Sequence, residues 1–275
     1  MFLQRLLVAL TLLPLGLWAL FTSELTFAAF MALVCVTASW EYSRMFRIGG
    51  FFPANFAIIG AVIFSLASVT YFANTVPLVV VVVFIFLAAA YHLAIYERGR
   101  DDAVLDFTVS LTGILYLGVL SSYFMAIRVL PGGEWWIFTV LTCVWWADTG
   151  AYVIGKNFGK HSLAPRLSPK KTWEGYLGGI GTTLIGSPLL LLLYWEMGLP
   201  VDEKITVPRV LLLAIFMGVF PTLGDLTISM FKRYFKIKDT GKILAGHGGM
   251  LDRIDSWLWA VTIGYYLVTI LFLAM

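Results

Sequence analysis

Apolar residues fill windows near 4–22, 25–41, 52–72, 75–96, 104–127, 135–155, 176–195, 208–230 and 256–275. Each is about as long as a helix needs to cross a bilayer, so the pattern predicts an all-α polytopic membrane protein with about nine transmembrane helices. Pro53 and Asn55 interrupt the start of the third window. Residues 1–22 combine Arg5 with an apolar run, but no clean small-x-small cleavage site follows, so they read as a first span rather than a presequence. The connections are short except for two polar loops, 156–175 and 231–255.

Charge gives this pattern a direction. With a cytoplasmic N-terminus, 16 of the 19 Lys and Arg residues fall inside, and only Arg128, Lys204 and Arg209 fall outside. That agrees with the positive-inside rule, predicts an external C-terminus and puts both polar loops on the cytoplasmic side. Of the 275 residues, 60% are hydrophobic and 13% charged, with a net charge of +3, which excludes a soluble domain. The two cysteines, Cys35 and Cys143, lie in apolar segments and read as packing residues. Residues 1–133 form a scaffold of about five helices, nearly free of buried charge apart from His92 and Asp106. Residues 134–275 form the catalytic region.

The stretch Gly224–Ser256 concentrates the chemistry: four carboxylates, six Lys or Arg and an HGG turn within 33 residues. Asp252 and Asp255, at i and i+3, share a helix face if the last span begins there, and can converge on one cation. Asp225 lies inside the apolar run ending at Met230, and an acid at that depth is functional by default. Mg²⁺ suits such acids, because it takes oxygen ligands and is often held by few carboxylates plus substrate phosphates. Lys232, Arg233, Lys236, Lys238 and Lys242 would face phosphates, and the HGG backbone can turn N–H groups toward an anion. The competing reading is a basic cytoplasmic loop that only fixes topology, its acids paired with its bases.

Upstream, Asp148 lies about two turns from the cytoplasmic end of the sixth span, in WWADTGAY. It reads equally as a partner for a lysine of the next loop or as a site residue. That loop, GKNFGKHSLAPRLSPKKTWEG, carries Ser168, Lys170 and Lys171 and suits a polyphosphate, though it fails the P-loop pattern. His161 is a candidate general base. Gly178, Gly179, Gly181 and Gly186 in the seventh span predict close helix packing, and Pro221 predicts a local break beside Asp225. Acids, a divalent cation and basic loops at one end of a bundle indicate phosphate chemistry at the membrane surface.

Residues 229–255 carry a specific resemblance. Ser229, Lys232, Arg233, Lys238, Asp239, Gly241, Leu244, His247, Gly248, Gly249, Asp252, Arg253 and Asp255 resemble the signature of the phosphatidate cytidylyltransferase (CDP-diacylglycerol synthase) family. Ala245 departs from it, standing where the family has Pro or Gly. WADTGAY and SPKKTWEG also look like family segments. The resemblance implies conversion of CTP and phosphatidic acid to CDP-diacylglycerol and pyrophosphate, by direct attack of the lipid phosphate on the α-phosphorus of CTP.

It further implies Asp225 and Asp252 as principal metal ligands with Asp255 close by, and Mg²⁺ with a possible second cation, Mg²⁺ or K⁺. Lys232 and Arg233 join the acids as catalytic residues. Asp148, Ser168, Lys170, Lys171, Ser229, Lys238, Asp239, His247, Gly248, Gly249 and Arg253 bind substrate. A homodimer in a bacterial inner membrane, with a cytoplasmic active site and no nucleic-acid partner, completes the expectation. A paralogue acting on another lipid phosphate, a transporter and a silent scaffold are the alternatives. A transporter would place its acids near the bilayer midplane, whereas these lie toward the cytoplasmic end.

Overall fold

The structure is a computed structural model that describes residues 2–72, 78–197, 205–243 and 248–273, with side chains from Thr11 onward. The N-terminal helices are α1 (Phe2–Thr22), α2 (Glu24–Ile48), α3 (Asn55–Phe72), α4 (Leu78–Glu97), α5 (Ala103–Gly113) and α6 (Leu120–Arg128). Ser23 turns the chain between the first two: its hydroxyl caps Thr26 N–H while Thr26 Oγ1 accepts from Ser23 N–H, each at 3.1 Å. A π-helical turn, Ile114–Val119, joins α5 to α6, so the fifth predicted span is one continuous stretch.

Then follow α7 (Gly133–Phe158), a hairpin of β1 (Ser162–Ala164) and β2 (Ser168–Thr172), α8 (Trp173–Glu196), α9 (Val207–Val219), α10 (Pro221–Tyr234) and α11 (Leu251–Val268). Among the described residues, eight helical stretches are long and apolar enough to cross a membrane, from Glu24–Ile48 to Leu251–Leu273. The first predicted span is also helical, as α1, whose Thr11–Thr22 part is apolar. The eighth span is broken at Phe220, where Pro221 opens α10. A proline is tolerated there because the first N–H groups of a helix have no partner within it.

By packing, the chain divides into two units, Met1–Glu134 with Phe231–Ile254, and Trp135–Met230 with Asp255–Met275. The first unit thus takes in most of the polar loop that the sequence assigns to the second region. Aromatic rings explain this: Phe46 packs on Phe231 at 5.5 Å and on Phe235 at 4.9 Å between centroids, with Tyr42 and Phe51 beside them. Its buried polar groups also cluster. Asp106, in the first turn of α5, accepts Phe52 N–H at 2.8 Å and pairs with Arg100, while His92 Nε2 lies 2.9 Å from Ser110 Oγ.

The core of the second unit is Val140, Cys143, Val144, Leu213, Met217 and Ala260, so Cys143 is a packing residue; Cys35 is buried in the first unit. Small residues let its helices approach closely. Gly178, Gly179 and Gly186 of α8 lie against Ile154, Ala147 and Trp146 of α7, whereas Gly181 faces open space.

Candidate active site

The second unit holds one cluster of predicted site residues. Asp225 stands near the start of α10, and Ser229, one turn on, donates its hydroxyl to Asp225 Oδ1 at 3.2 Å. Lys171 Nζ pairs with Asp225 Oδ2. The hairpin explains why Lys171, and not Lys170, makes this pair. On β2 Pro169 and Lys170 are exposed, while Lys171 and Thr172, next to the start of α8, are half-buried. Thr172 then caps α8, accepting Gly175 N–H at 3.1 Å. Glu174 secures the hairpin from outside, with His161 Nδ1 at 2.5 Å and the N–H groups of Lys160 and His161 on its other oxygen. His161 is therefore engaged in holding the loop.

Asp255 belongs to the same unit and is 5% exposed; its Oδ1 accepts Ser256 N–H at 2.7 Å. Gly224, the residue before Asp225, lies against the carbonyl of Asp255 and the ring of Trp259, so close that a Cβ would strike them. That contact brings the Asp225 end of α10 to the Asp255 turn of α11.

The first unit holds the other cluster. Asp252, in the first turn of α11, takes Lys232 Nζ on Oδ1 at 2.6 Å. Its Oδ2 accepts Thr240 N–H at 2.9 Å and Gly249 N–H at 3.0 Å, with Thr240 Oγ1 at 3.1 Å. A carboxylate is favoured at a helix start by the unpaired N–H groups there. Gly248 adopts φ +82, a left-handed conformation that suits glycine. Gly249 is needed for space, since a Cβ would meet Thr240 Oγ1 and Glu41 Oε2. The Gly249 N–H thus serves Asp252, where the sequence suggests an anion. Lys232 is fixed because α10 ends just beyond it: Ile237 N–H bonds Lys232 C=O at 3.0 Å, Lys236 N–H bonds Arg233 C=O at 3.1 Å, and Lys236 takes φ 55 in the place usually held by glycine.

The structure leaves Asp148, Lys170, Arg233, Lys238, Asp239 and Arg253 exposed and Ser168 half-buried. His247 lies outside the described residues. Among the described residues, no group of three or more His, Cys, Asp or Glu is gathered to hold a metal.

The sequence model of the Cytidylyltransferase family matches residues 3–271. The chain belongs to that family. It is 33% identical over 241 residues to the phosphatidate cytidylyltransferase of Staphylococcus haemolyticus, covering 87% of each chain. It is 32% identical over 295 residues to that of Synechocystis sp., covering 96% of this chain and 93% of the relative. Against that of Bacillus subtilis the identity is 39% over 159 residues, 57% of this chain and 56% of the relative. This cytidylyltransferase-family chain is an integral membrane protein by its apolar helices.

Two residues of its site escape the sequence reading, Glu41 and Thr240. Glu41 ends an apolar run, where an acid passes for an interfacial residue. The available signal is an acid inside a membrane helix at all: Glu41 is 0% exposed in α2. Thr240 carries no charge and has no sequence signal.

Proposed function

We infer that this chain transfers the cytidylyl group of CTP to phosphatidic acid, forming CDP-diacylglycerol and pyrophosphate. A lipid phosphate oxygen bonds to the α-phosphorus of CTP, the bond to the β-phosphate breaks, and pyrophosphate leaves with that electron pair. The observation that carries this reading is the match, over 96% of the chain, to a phosphatidate cytidylyltransferase. The two lysine–aspartate pairs support it: ammonium groups suit phosphate oxygens, and such transfers depend on positioning and charge neutralisation.

The donor set fits Mg²⁺. Asp225, Asp252 and Asp255 offer oxygen alone, and Mg²⁺ needs only one or two protein carboxylates beside substrate phosphates. We propose Asp225 and Asp252 as its principal ligands with Asp255 close by, alone or with a second Mg²⁺ or K⁺, and bound metal would neutralise charge on the phosphates. Lys171 places its ammonium group at Asp225 and Lys232 places its own at Asp252, and Ser229 donates its hydroxyl to Asp225. Exposed Lys170, Arg233, Lys238 and Arg253 add positive potential for the triphosphate. We further assign the N-terminus and active site to the cytoplasmic side of a bacterial inner membrane, and a homodimer as the working assembly.

Product analysis tests the reading. Purified protein given CTP, Mg²⁺ and phosphatidic acid should yield CDP-diacylglycerol and pyrophosphate in equal amounts by mass spectrometry. Turnover of a polyprenyl phosphate in preference to phosphatidic acid would replace the substrate. No nucleotide transfer to any lipid phosphate would end it.

A further inference from the structure

Glu41 is a wholly buried carboxyl on α2, in the part of the chain that the sequence assigns to scaffold. A buried acid in a membrane helix is retained where partners hold it. Glu41 Oε2 accepts Leu251 N–H at 2.9 Å and lies 3.1 Å from Thr240 Oγ1. Both partners flank Asp252. Leu251 precedes it at the start of α11, and Thr240 gives its own N–H to Asp252 Oδ2 at 2.9 Å. Gly241 and Gly249 close around the carboxyl so tightly that a Cβ on either would strike it. Glu41 Oε1 is buried with no hydrogen-bond partner among the described residues. One side chain of α2 therefore clasps two chain segments, 240–241 and 249–251, that together hold Asp252.

We propose that Glu41 is a positioning residue of the active site, fixing Thr240 and the start of α11 so that Asp252 keeps Oδ2 on Thr240 and Gly249 and presents Oδ1 toward Lys232. This rests on the role of Asp252 in the proposed transfer. What Glu41 supplies is an acceptor oxygen at a fixed place, so a glutamine should serve and an alanine should not.

The test uses the full chain in detergent. Glu41→Ala should speed amide hydrogen exchange in peptides covering 238–252 and leave those from α3 and α4 unchanged. It should lower kcat roughly 10- to 100-fold, the scale of a small misplacement at a reacting centre, with little change in KM for CTP. Glu41→Gln should recover most of the rate and the protection. Wild-type exchange and kcat in Glu41→Ala would overturn the proposal, as would a Glu41→Gln as slow as Glu41→Ala, which would mark a need for charge. A lowered thermal midpoint with kcat unchanged in the folded protein would also overturn it, leaving Glu41 structural only.

If Glu41→Ala does not fold, Thr240→Val takes its place, removing the hydroxyl at constant shape; it should raise exchange over the same peptides and lower kcat, and wild-type values in both would refute the linkage. Should the wild-type protein make no CDP-diacylglycerol, the exchange measurement still reads the clasp, so the two failures separate.

Discussion

The same chemical pair, a lysine on an aspartate, is built twice in this chain and in two different ways. Lys171 and Asp225 are 29% and 31% exposed, and the lysine comes from a short hairpin. Lys232 and Asp252 are 11% and 5% exposed, and Asp252 is further held by Thr240 and Gly249. Water screens the first pair, and exposed pairs of that kind contribute about 0–1 kcal/mol. The second is nearly dry, so removing Lys232 leaves Asp252 only Thr240 and Gly249 to hold its charge. Under the proposed transfer this is a division of labour: the open pair would exchange its partner for a substrate phosphate and the closed pair would serve as a fixed frame.

One substitution applied to both pairs tests that division. Lys232→Met, which keeps volume and removes charge, should destabilise the protein by about 3 kcal/mol. It should also lower turnover about 100-fold, the scale of misplacing Asp252 at the reacting centre. Thermal unfolding and CTP turnover in detergent read the two effects, and a stable, active variant would erase the difference between the pairs. Next in size, Gly249→Ala drives a Cβ into Thr240 and Glu41 and should cost about 1–3 kcal/mol. Gly181→Ala, in open space on α8, should be neutral or stabilising by up to about 1 kcal/mol; equal effects at the two glycines would contradict the tight frame.

Lys171→Met should change stability by less than about 1 kcal/mol. It should raise KM for CTP roughly tenfold, the worth of one hydrogen bond to a charged group, and Lys170→Met, at an exposed position of β2, should do less. Smallest of all, Lys236→Gly should stabilise by about 1 kcal/mol by relieving the left-handed backbone that ends α10. A destabilised Lys236→Gly would show that the lysine side chain matters more than its φ.

The membrane spans are legible in the sequence because bilayer burial depends on composition over about twenty residues, which a window captures. Pro221 likewise marks the break before Asp225, since a proline acts on its own turn. The hairpin at 162–172 is not legible. Pro165 and Pro169 suppress any strand pattern, and the pairing is set by His161, Glu174 and Thr172 around it. Glu41 is hidden for another reason: its contact with Thr240 spans 199 positions, and local pattern carries no record of a partner that distant. Gly248 and Gly249 are legible as turn residues, but the sequence does not tell that the Gly249 N–H serves Asp252.

The most direct test of the whole account is a Mg²⁺ titration of labelled cytidylyl transfer from CTP to phosphatidic acid, with wild-type protein beside Asp252→Asn. Rates that rise with Mg²⁺ and saturate in the wild type, and stay near background at every Mg²⁺ concentration in a folded Asp252→Asn, are the predicted result. Wild-type turnover in chelator, or an Asp252→Asn titration that overlays the wild type, would contradict it.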